Sequence, residues 1–312
     1  MQGEFGLIEQ LKSLIPPSLQ GPFSIGDDAA ILPNSSQKSL LFSTDVIVEG
    51  VDFLLGKKGA RPEQIGHKAL AVNLSDMAAM GARPVAFIAA IGIPKNFAQK
   101  SVERVAKGMI SLAKKFKIKW VGGDITRSDK FFISIAILGE QNPKKIVKRS
   151  GAKLGDLIFV TGDLGGSILG KHLSFTPRVR EALYLAEKFR PSAMIDLSDG
   201  LIQDLGHVLA SSKKGAKVEL AKIPISNAAR KKSGENTRKA LEYALTDGED
   251  FELLFTLSKK QAKNLEQRWR KNFPHVRLTQ IGALDSHAGE MEWQEKGKRT
   301  KLWFQKKGYS HF

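Results

Sequence analysis

Apolar residues in this chain recur with two different spacings. Over residues 63–80 and 98–116 they return every three to four positions, which predicts two helices, the first opened by Pro62 near its first turn. Short apolar runs at 40–43, 85–93, 119–121 and 131–138 predict strands around them. Residues 1–15 read as an amphipathic helix, so 1–140 is expected to form an α/β unit. The stretch 139–156 is polar, carries Pro and Gly and has no period, which suits a linker. Beyond it, strands are expected at 157–160, ending at 194–195, at 251–257 and at 276–281, with helices at 179–189, 199–210 and 259–271. The expected division is therefore 1–140 and 141–312, two α/β (α+β) units without a short-period repeat.

Composition narrows the function classes. The chain has 312 residues, enough for two ordinary domains. Its longest apolar run, 85–93, stops at Pro94 and is too short to span a bilayer, so no membrane role is expected. The N-terminus carries early acids and lacks a signal-peptide pattern. With no Cys there are no disulfides, thiolate zinc sites or Cys nucleophiles, and a reducing cytoplasm fits. The net charge is +17, from 49 Lys+Arg against 32 Asp+Glu. These cations are spread along the chain, with small clusters at 230–232, 268–271 and 296–301, and no nucleic-acid motif organises them. A solvated basic surface is the plain reading, and nucleic acid is disfavoured as a partner.

The acidic residues change the picture most. They stand beside Gly, Ser or Thr in otherwise apolar surroundings: Asp27 and Asp28 in IGDDAA, Asp45 in FSTDV, Asp76 in NLSDMAAMGA, Asp124 in VGGDITR, and Asp196 with Asp199 in MIDLSDGL. A carboxylate in such a setting costs stability unless it is paired. With no Cys and six scattered His, the fitting partner is Mg²⁺, which takes hard oxygen ligands and shares them with substrate phosphates. Taken singly, the first two motifs suit ordinary Asx or Ser/Thr turns, with Ser43, Thr44 and Asp45 placed at a strand end. Asp76 lies with Asn73 and Ser75 inside an apolar helical stretch, where all three residue types are disfavoured. A helix start at Ser75 is the ordinary alternative, and a functional cluster is the stronger one. Asp196 and Asp199 sit where a strand turns into a helix, whose first amides are expected to meet phosphate oxygens. A single N-cap explains one of those carboxylates but not both.

Two further segments have competing readings. The run 246–250, TDGED, is either an acidic turn entering a strand or a substrate contact. The run from Gly165 to His172 approaches a Walker A loop, but His172 stands where the Mg²⁺-holding hydroxyl belongs, so it reads as a packing turn.

In order along the chain, IGDDAA, STDVIVEGVDF, NLSDMAAMGA, VGGD, RSGAKLGD, VTGDLG, MIDLSDGL, DGEDFELL and KGYSHF resemble the thiamine-monophosphate kinase family, within the aminoimidazole ribonucleotide synthetase superfamily. The match covers essentially the whole chain. It implies a two-domain aminoimidazole ribonucleotide synthetase-like fold, with 1–140 as an ATP/Mg-binding and dimerisation domain and a homodimer joined through the N-terminal sheets. It implies ATP-dependent phosphorylation of thiamine monophosphate to thiamine diphosphate, with several Mg²⁺ ions. By motif, Asp28, Ser43, Thr44, Asp45, Asp76, Asp124, Asp196 and Asp199 look like metal-site residues, with Asp28, Asp45, Asp76 and Asp199 as the catalytic set. Gly123, Asp124, Arg149 and Ser198 look like ATP contacts, and Glu249 like a contact to the thiamine part.

Two positions depart from the family pattern. Asp52 stands where a substrate-contacting His is usual, and Lys306 where an aromatic residue normally precedes Lys-Gly-Tyr, with Trp303 or Phe304 as replacements if the register shifts. Another kinase or synthetase of the superfamily, with a different acceptor, is the second reading. Selenophosphate synthetase and the hydrogenase-maturation relative both need a Cys this chain lacks. A basic nucleic-acid-binding protein on the same fold is the third, and the acidic motifs argue against it.

Overall fold

The computed structural model describes residues 4–16, 26–35, 37–56, 59–306 and 308–309. Helix α1 (Glu4–Leu14) precedes β1 (Ala30–Pro33) and β2 (Ser39–Val48); α2 (Pro62–Ala79), β3 (Arg83–Ile93), α3 (Gln99–Phe116), β4 (Lys119–Arg127) and β5 (Phe132–Gln141) follow. Their strands form a five-stranded sheet in the order β1-β2-β5-β3-β4, antiparallel except for the β3–β4 pair. The second half contains β6 (Leu157–Thr161), α4 (Val179–Lys188), β7 (Ala193–Asp196), α5 (Leu201–Ser212), β8 (Gly215–Glu219), α6 (Asn227–Lys232) and α7 (Thr237–Thr246). It ends with β9 (Leu253–Leu257), α8 (Lys259–Ala262), α9 (Leu265–Asn272), β10 (Leu278–Asp285), β11 (Met291–Glu295) and β12 (Lys298–Thr300). These strands form a seven-stranded sheet, β12-β11-β8-β10-β6-β9-β7. No helix among the described residues is long and apolar enough to cross a membrane.

Helix α2 is the element around which the site is arranged. It is buried on nearly every side, as expected of a helix without a wide polar face. It packs on α3, β2, β5, α4 and β7, so one helix touches both halves of the chain. One apolar core cluster correspondingly runs through both halves, from Leu70 and Ile135 through Phe159 to Phe255, and a second core cluster lies in the C-terminal half around Leu205, Val218 and Trp293. Gly66 and Gly108 let α2 and α3 approach closely: a Cβ on Gly66 would lie 1.9 Å from the Val105 carbonyl oxygen, and one on Gly108 2.0 Å from that of Glu63.

Several elements differ from expectation for local reasons. β2 runs ten residues, so Ser43, Thr44 and Asp45 lie within the strand and not at its end. β4 continues through Gly122 and Gly123 to Arg127, because an edge strand paired on one side tolerates glycine. β5 reaches Gln141 and a 3₁₀ turn covers Pro143–Lys145, which shortens the expected linker. The expected helix at 259–271 is broken into α8 and α9 between Ala262 and Leu265. Strands β1, β8, β11 and β12 and helices α6 and α7 went unanticipated, being short and flanked by polar residues. Residues 1–3 of the expected N-terminal helix, and Lys307, Ser310, His311 and Phe312 of the closing motif, lie outside the described residues.

Gly66→Ala and Gly108→Ala are each expected to lower unfolding free energy by roughly 3 kcal/mol, the upper range for overpacking, because backbone and not a flexible side chain opposes the new methyl. Urea unfolding of the two variants checks this; stabilities within 0.5 kcal/mol or so of the parent would contradict the close packing.

Candidate active site

Alternation along β2 sends Ser43 and Asp45 towards the helix-covered face of the sheet and leaves Thr44 on the exposed face. Facing them on α2 is Asp76, whose carboxylate accepts a hydrogen bond from Ser43 Oγ. The neighbouring Ser75 donates to Asp196 Oδ2 (2.5 Å) at the end of β7. Asn73 bonds back to the Ala69 carbonyl. Asn73, Ser75 and Asp76 thus lie in the last two turns of α2, and Ser75 is not its start. Carboxylate oxygens of Asp28, Asp76 and Asp196 lie within 4.8 Å of one another. Arg149 binds Asp28 in a fork, Nη2 at 2.7 Å and Nε at 3.2 Å, and its main-chain N–H reaches Asp27 Oδ1 at 2.8 Å.

This grouping is electrostatically strained without a cation. Burial raises Asp196 to about 7, with Asp28 adding repulsion. Burial also raises Asp45 to about 6, opposed by a hydrogen bond to Asp76 and reinforced by Asp28. Asp76 is pushed well above the carboxylate range by burial and by Asp45 and Asp196. An all-oxygen donor set whose only bonded cation among the described residues is Arg149 fits Mg²⁺ by its chemistry. Asp28, Asp76 and Asp196 have oxygens close enough together to share one ion, and Asp45 stands beside Asp76.

The cluster forms one wall of a cavity of about 830 Å³. Ser198 and Asp199 line another wall. Contrary to the expectation that the amides of this turn meet phosphate, those of Asp199 and Gly200 both donate to buried Asp204 Oδ2 at 3.1 Å. The loop before β9 completes this side. Glu249 (φ 64°) and Phe251 (φ 49°) adopt the left-handed conformation that non-glycine residues rarely take. Glu249 N–H bonds the Ser198 carbonyl at 2.6 Å, and Phe251 N–H that of Leu197 at 2.8 Å, so the loop is clamped onto the DLSDG turn.

Glu249, Asp52 and Lys306 all border the cavity. The Asp52 carboxylate is engaged in closing its own turn, accepting from Val48 N–H at 2.7 Å. Lys306 Nζ is 3.9 Å from Asp247, which also binds Lys232 at 2.8 Å. Phe304 packs on the second core cluster and Trp303 contacts its ring, so Lys306 and neither aromatic occupies this position on the cavity.

Gly123 and Asp124 lie elsewhere. In register Asp124 stands beside Ala90, then Ser134, then Val46, three strands or about 14 Å across the sheet and on its exposed face. One chain therefore does not bring Asp124 to the Asp28–Asp76–Asp196 cluster. The Walker-like run is a packing turn: Gly165 and Gly166 amides are taken by Asp250 and Asp247. Sequence reasoning missed Lys68, Asp204 and Lys232, which serve the cavity or its loops. For Lys68 a signal existed, since it is a lone cation in an all-round apolar helix.

A raised carboxyl pKa means that the folded state holds protons which the unfolded chain releases near pH 4, so stability is lost as pH rises. From Asp45 and Asp196, metal-free protein is expected to lose stability between about pH 4 and 7, and added Mg²⁺ to restore more of it at pH 7.5 than at pH 5. Thermal melts in EDTA and in Mg²⁺ at the two pH values test this. A Mg²⁺ shift that is equal at both, or larger at pH 5, would contradict it.

Residues 26–141 match the family described as AIR synthase related protein, N-terminal domain. A thiamine-monophosphate kinase of Rhodopirellula baltica is 39% identical over 274 residues, covering 85% of this chain and 84% of the relative. One from Buchnera aphidicola subsp. Schizaphis graminum is 37% identical over 311 residues, covering 92% of each. The solved structure of AaThiL complexed with AMPPCP and TMP superposes with a TM-score of 0.83 at 32% identity, covering 100% of this chain and 97% of that one. With all its acidic motifs but that of Asp124 bordering one cavity and this similarity along its length, the chain belongs to the thiamine-monophosphate kinase family.

Proposed function

We propose that the chain transfers the γ-phosphoryl group of ATP to the phosphate of thiamine monophosphate, giving thiamine diphosphate and ADP, in a Mg²⁺-dependent reaction in the cytoplasm. A phosphate oxygen of the acceptor attacks the γ-phosphorus, and the bond to the β–γ bridging oxygen breaks, leaving ADP. The observation that carries this reading is the convergence of Asp28, Asp45, Asp76, Asp196 and Asp199 from separate segments of both halves onto one cavity beside Arg149. Mg²⁺ held there supplies neutralising charge to the phosphates.

The chain's own residues then divide the work. Arg149, fixed by its fork to Asp28, presents a cation to nucleotide phosphate on the side where Ser198 lies. Glu249, Asp52 and Lys306 border the acceptor side. In this protein Asp52 acts through the turn it closes, since its carboxylate is held by Val48 N–H. Gly123 and Asp124 are assigned to nucleotide and metal through a homodimer, and Thr44, which borders the cavity of its own chain, to metal. Phe42, Val46 and Ile88 are large apolar residues left exposed on the outer face of the N-terminal sheet, from 40% for Phe42 to 53% for Val46. A second copy covering the sheet's outer face would bury much of that surface, and Asp124 with it, and a carboxylate buried there calls for a cation.

A related kinase with another acceptor is the second reading, favoured by the departures at Asp52 and Lys306. ADP release measured side by side with thiamine monophosphate, thiamine and aminoimidazole precursors separates the two, with Mg²⁺-dependent release expected only for thiamine monophosphate. Asp76→Asn and Asp199→Asn are each expected to lower turnover by about two orders of magnitude, the scale for losing one preorganised electrostatic contact, while folding survives. Near-normal turnover of both variants at limiting Mg²⁺ would sink the assignment of the cluster.

A further inference from the structure

We propose that Lys68 is a positioning residue for the acceptor, acting through Glu249; the inference rests on the functional reading above. Lys68, Val72 and Asp76 are spaced by four on α2 and all border the cavity, so one stripe of the helix carries both the metal cluster and this lysine. Eight residues of helix rise about 12 Å, which sets Lys68 at the far end of the cavity from the cluster.

Its side chain is only 1% exposed, and a lysine that deep is retained when its charge is paired. The ammonium donates to the main-chain carbonyl of Asp52 at 2.7 Å and to Glu249 Oε1. Asp52 belongs to the turn after β2, locked by reciprocal bonds with Val48. Glu249 belongs to the left-handed loop before β9, locked by its N–H to Ser198. A single buried cation therefore fastens a turn from the N-terminal half and a loop from the C-terminal half to the same end of the cavity.

Only one oxygen of Glu249 is used. Among the described residues Oε2 has no hydrogen bond, and the carboxylate stays 29% exposed. A carboxylate gripped from behind by a buried ammonium, with its other oxygen open to the cavity, suits a cationic heteroaromatic ring on a phosphorylated acceptor. Without Lys68 that carboxylate loses its anchor and its fixed distance from the metal cluster. A simple clamp between halves, by contrast, would affect both substrates alike.

Steady-state kinetics of Lys68→Met, Glu249→Gln and the double variant, varying thiamine monophosphate and ATP separately, distinguish these cases. Each single variant is expected to raise KM for thiamine monophosphate about tenfold or more and to leave KM for ATP within about twofold. The double variant should be no worse than Glu249→Gln by more than about twofold, because both substitutions remove one coupled contact. Lys68→Gln, which keeps donor hydrogens, should recover part of the loss, and carries the same comparison if the Met variant fails to fold. Losses that multiply in the double variant, or equal rises in both KM values, would overturn the proposal while the parent enzyme still turns over. Absence of ADP release by the parent enzyme with thiamine monophosphate would overturn the functional reading and this proposal with it.

Discussion

Mutual repulsion of buried carboxylates is the constraint on which the rest of this structure depends. Two unit charges 4.8 Å apart, the span of the Asp28–Asp76–Asp196 group, repel by roughly 3.5 kcal/mol at an effective dielectric of 20. Arg149 offsets part of this through Asp28, and Ser43 and Ser75 supply hydrogen bonds to Asp76 and Asp196. Protonation or a bound cation must remove the remainder. The raised values at Asp45 and Asp196 are the mark of that debt in the metal-free protein. A site built in this way suits a hard cation together with a polyanionic substrate, because the cation offsets the negative charge of both.

Helix α2 makes the constraint a matter of folding as well as function. It contacts β2 and β5 on one side and α4 and β7 on the other, so the carboxylates of β2, α2 and β7 meet only when both halves have packed. Gly66 and Gly108 bring α3 close behind it. The same helix carries Lys68 at the opposite end of the cavity, where it ties the Asp52 turn to the Glu249 loop. Strain collects on that loop, in the left-handed Glu249 and Phe251, and is held by hydrogen bonds to Leu197 and Ser198.

Much of this was legible in the residues themselves. Asp76 was visible because Asn73, Ser75 and Asp76 break helix preference inside an apolar run, and the fold answers with partners from other elements for Ser75 and Asp76. The two long helices of the N-terminal half were read nearly to the residue, since their period is sustained over many turns. What stayed hidden depended on pairing across the fold. The strand expected at 119–121 runs on through Gly122, Gly123 and Asp124, and only its ladder with β3 shows this and sets Asp124 on the face away from Asp45. Asp204 takes the amides of the DLSDG turn from one turn further along α5, a contact that spacing alone does not distinguish from an ordinary surface acid. Lys68 finds Glu249 across 181 positions of sequence. The break between α8 and α9 has no signal in a stretch that is amphipathic throughout.

The most direct test of this account is an anomalous difference map from crystals grown with Mn²⁺ in place of Mg²⁺ and a non-hydrolysable ATP analogue. The account predicts strong peaks bounded by oxygens of Asp28, Asp76 and Asp196, within reach of Asp45, and loss of those peaks in Asp76→Asn. Peaks confined to places away from Asp28, Asp76 and Asp196, or no metal among these three carboxylates at saturating Mn²⁺, would contradict it.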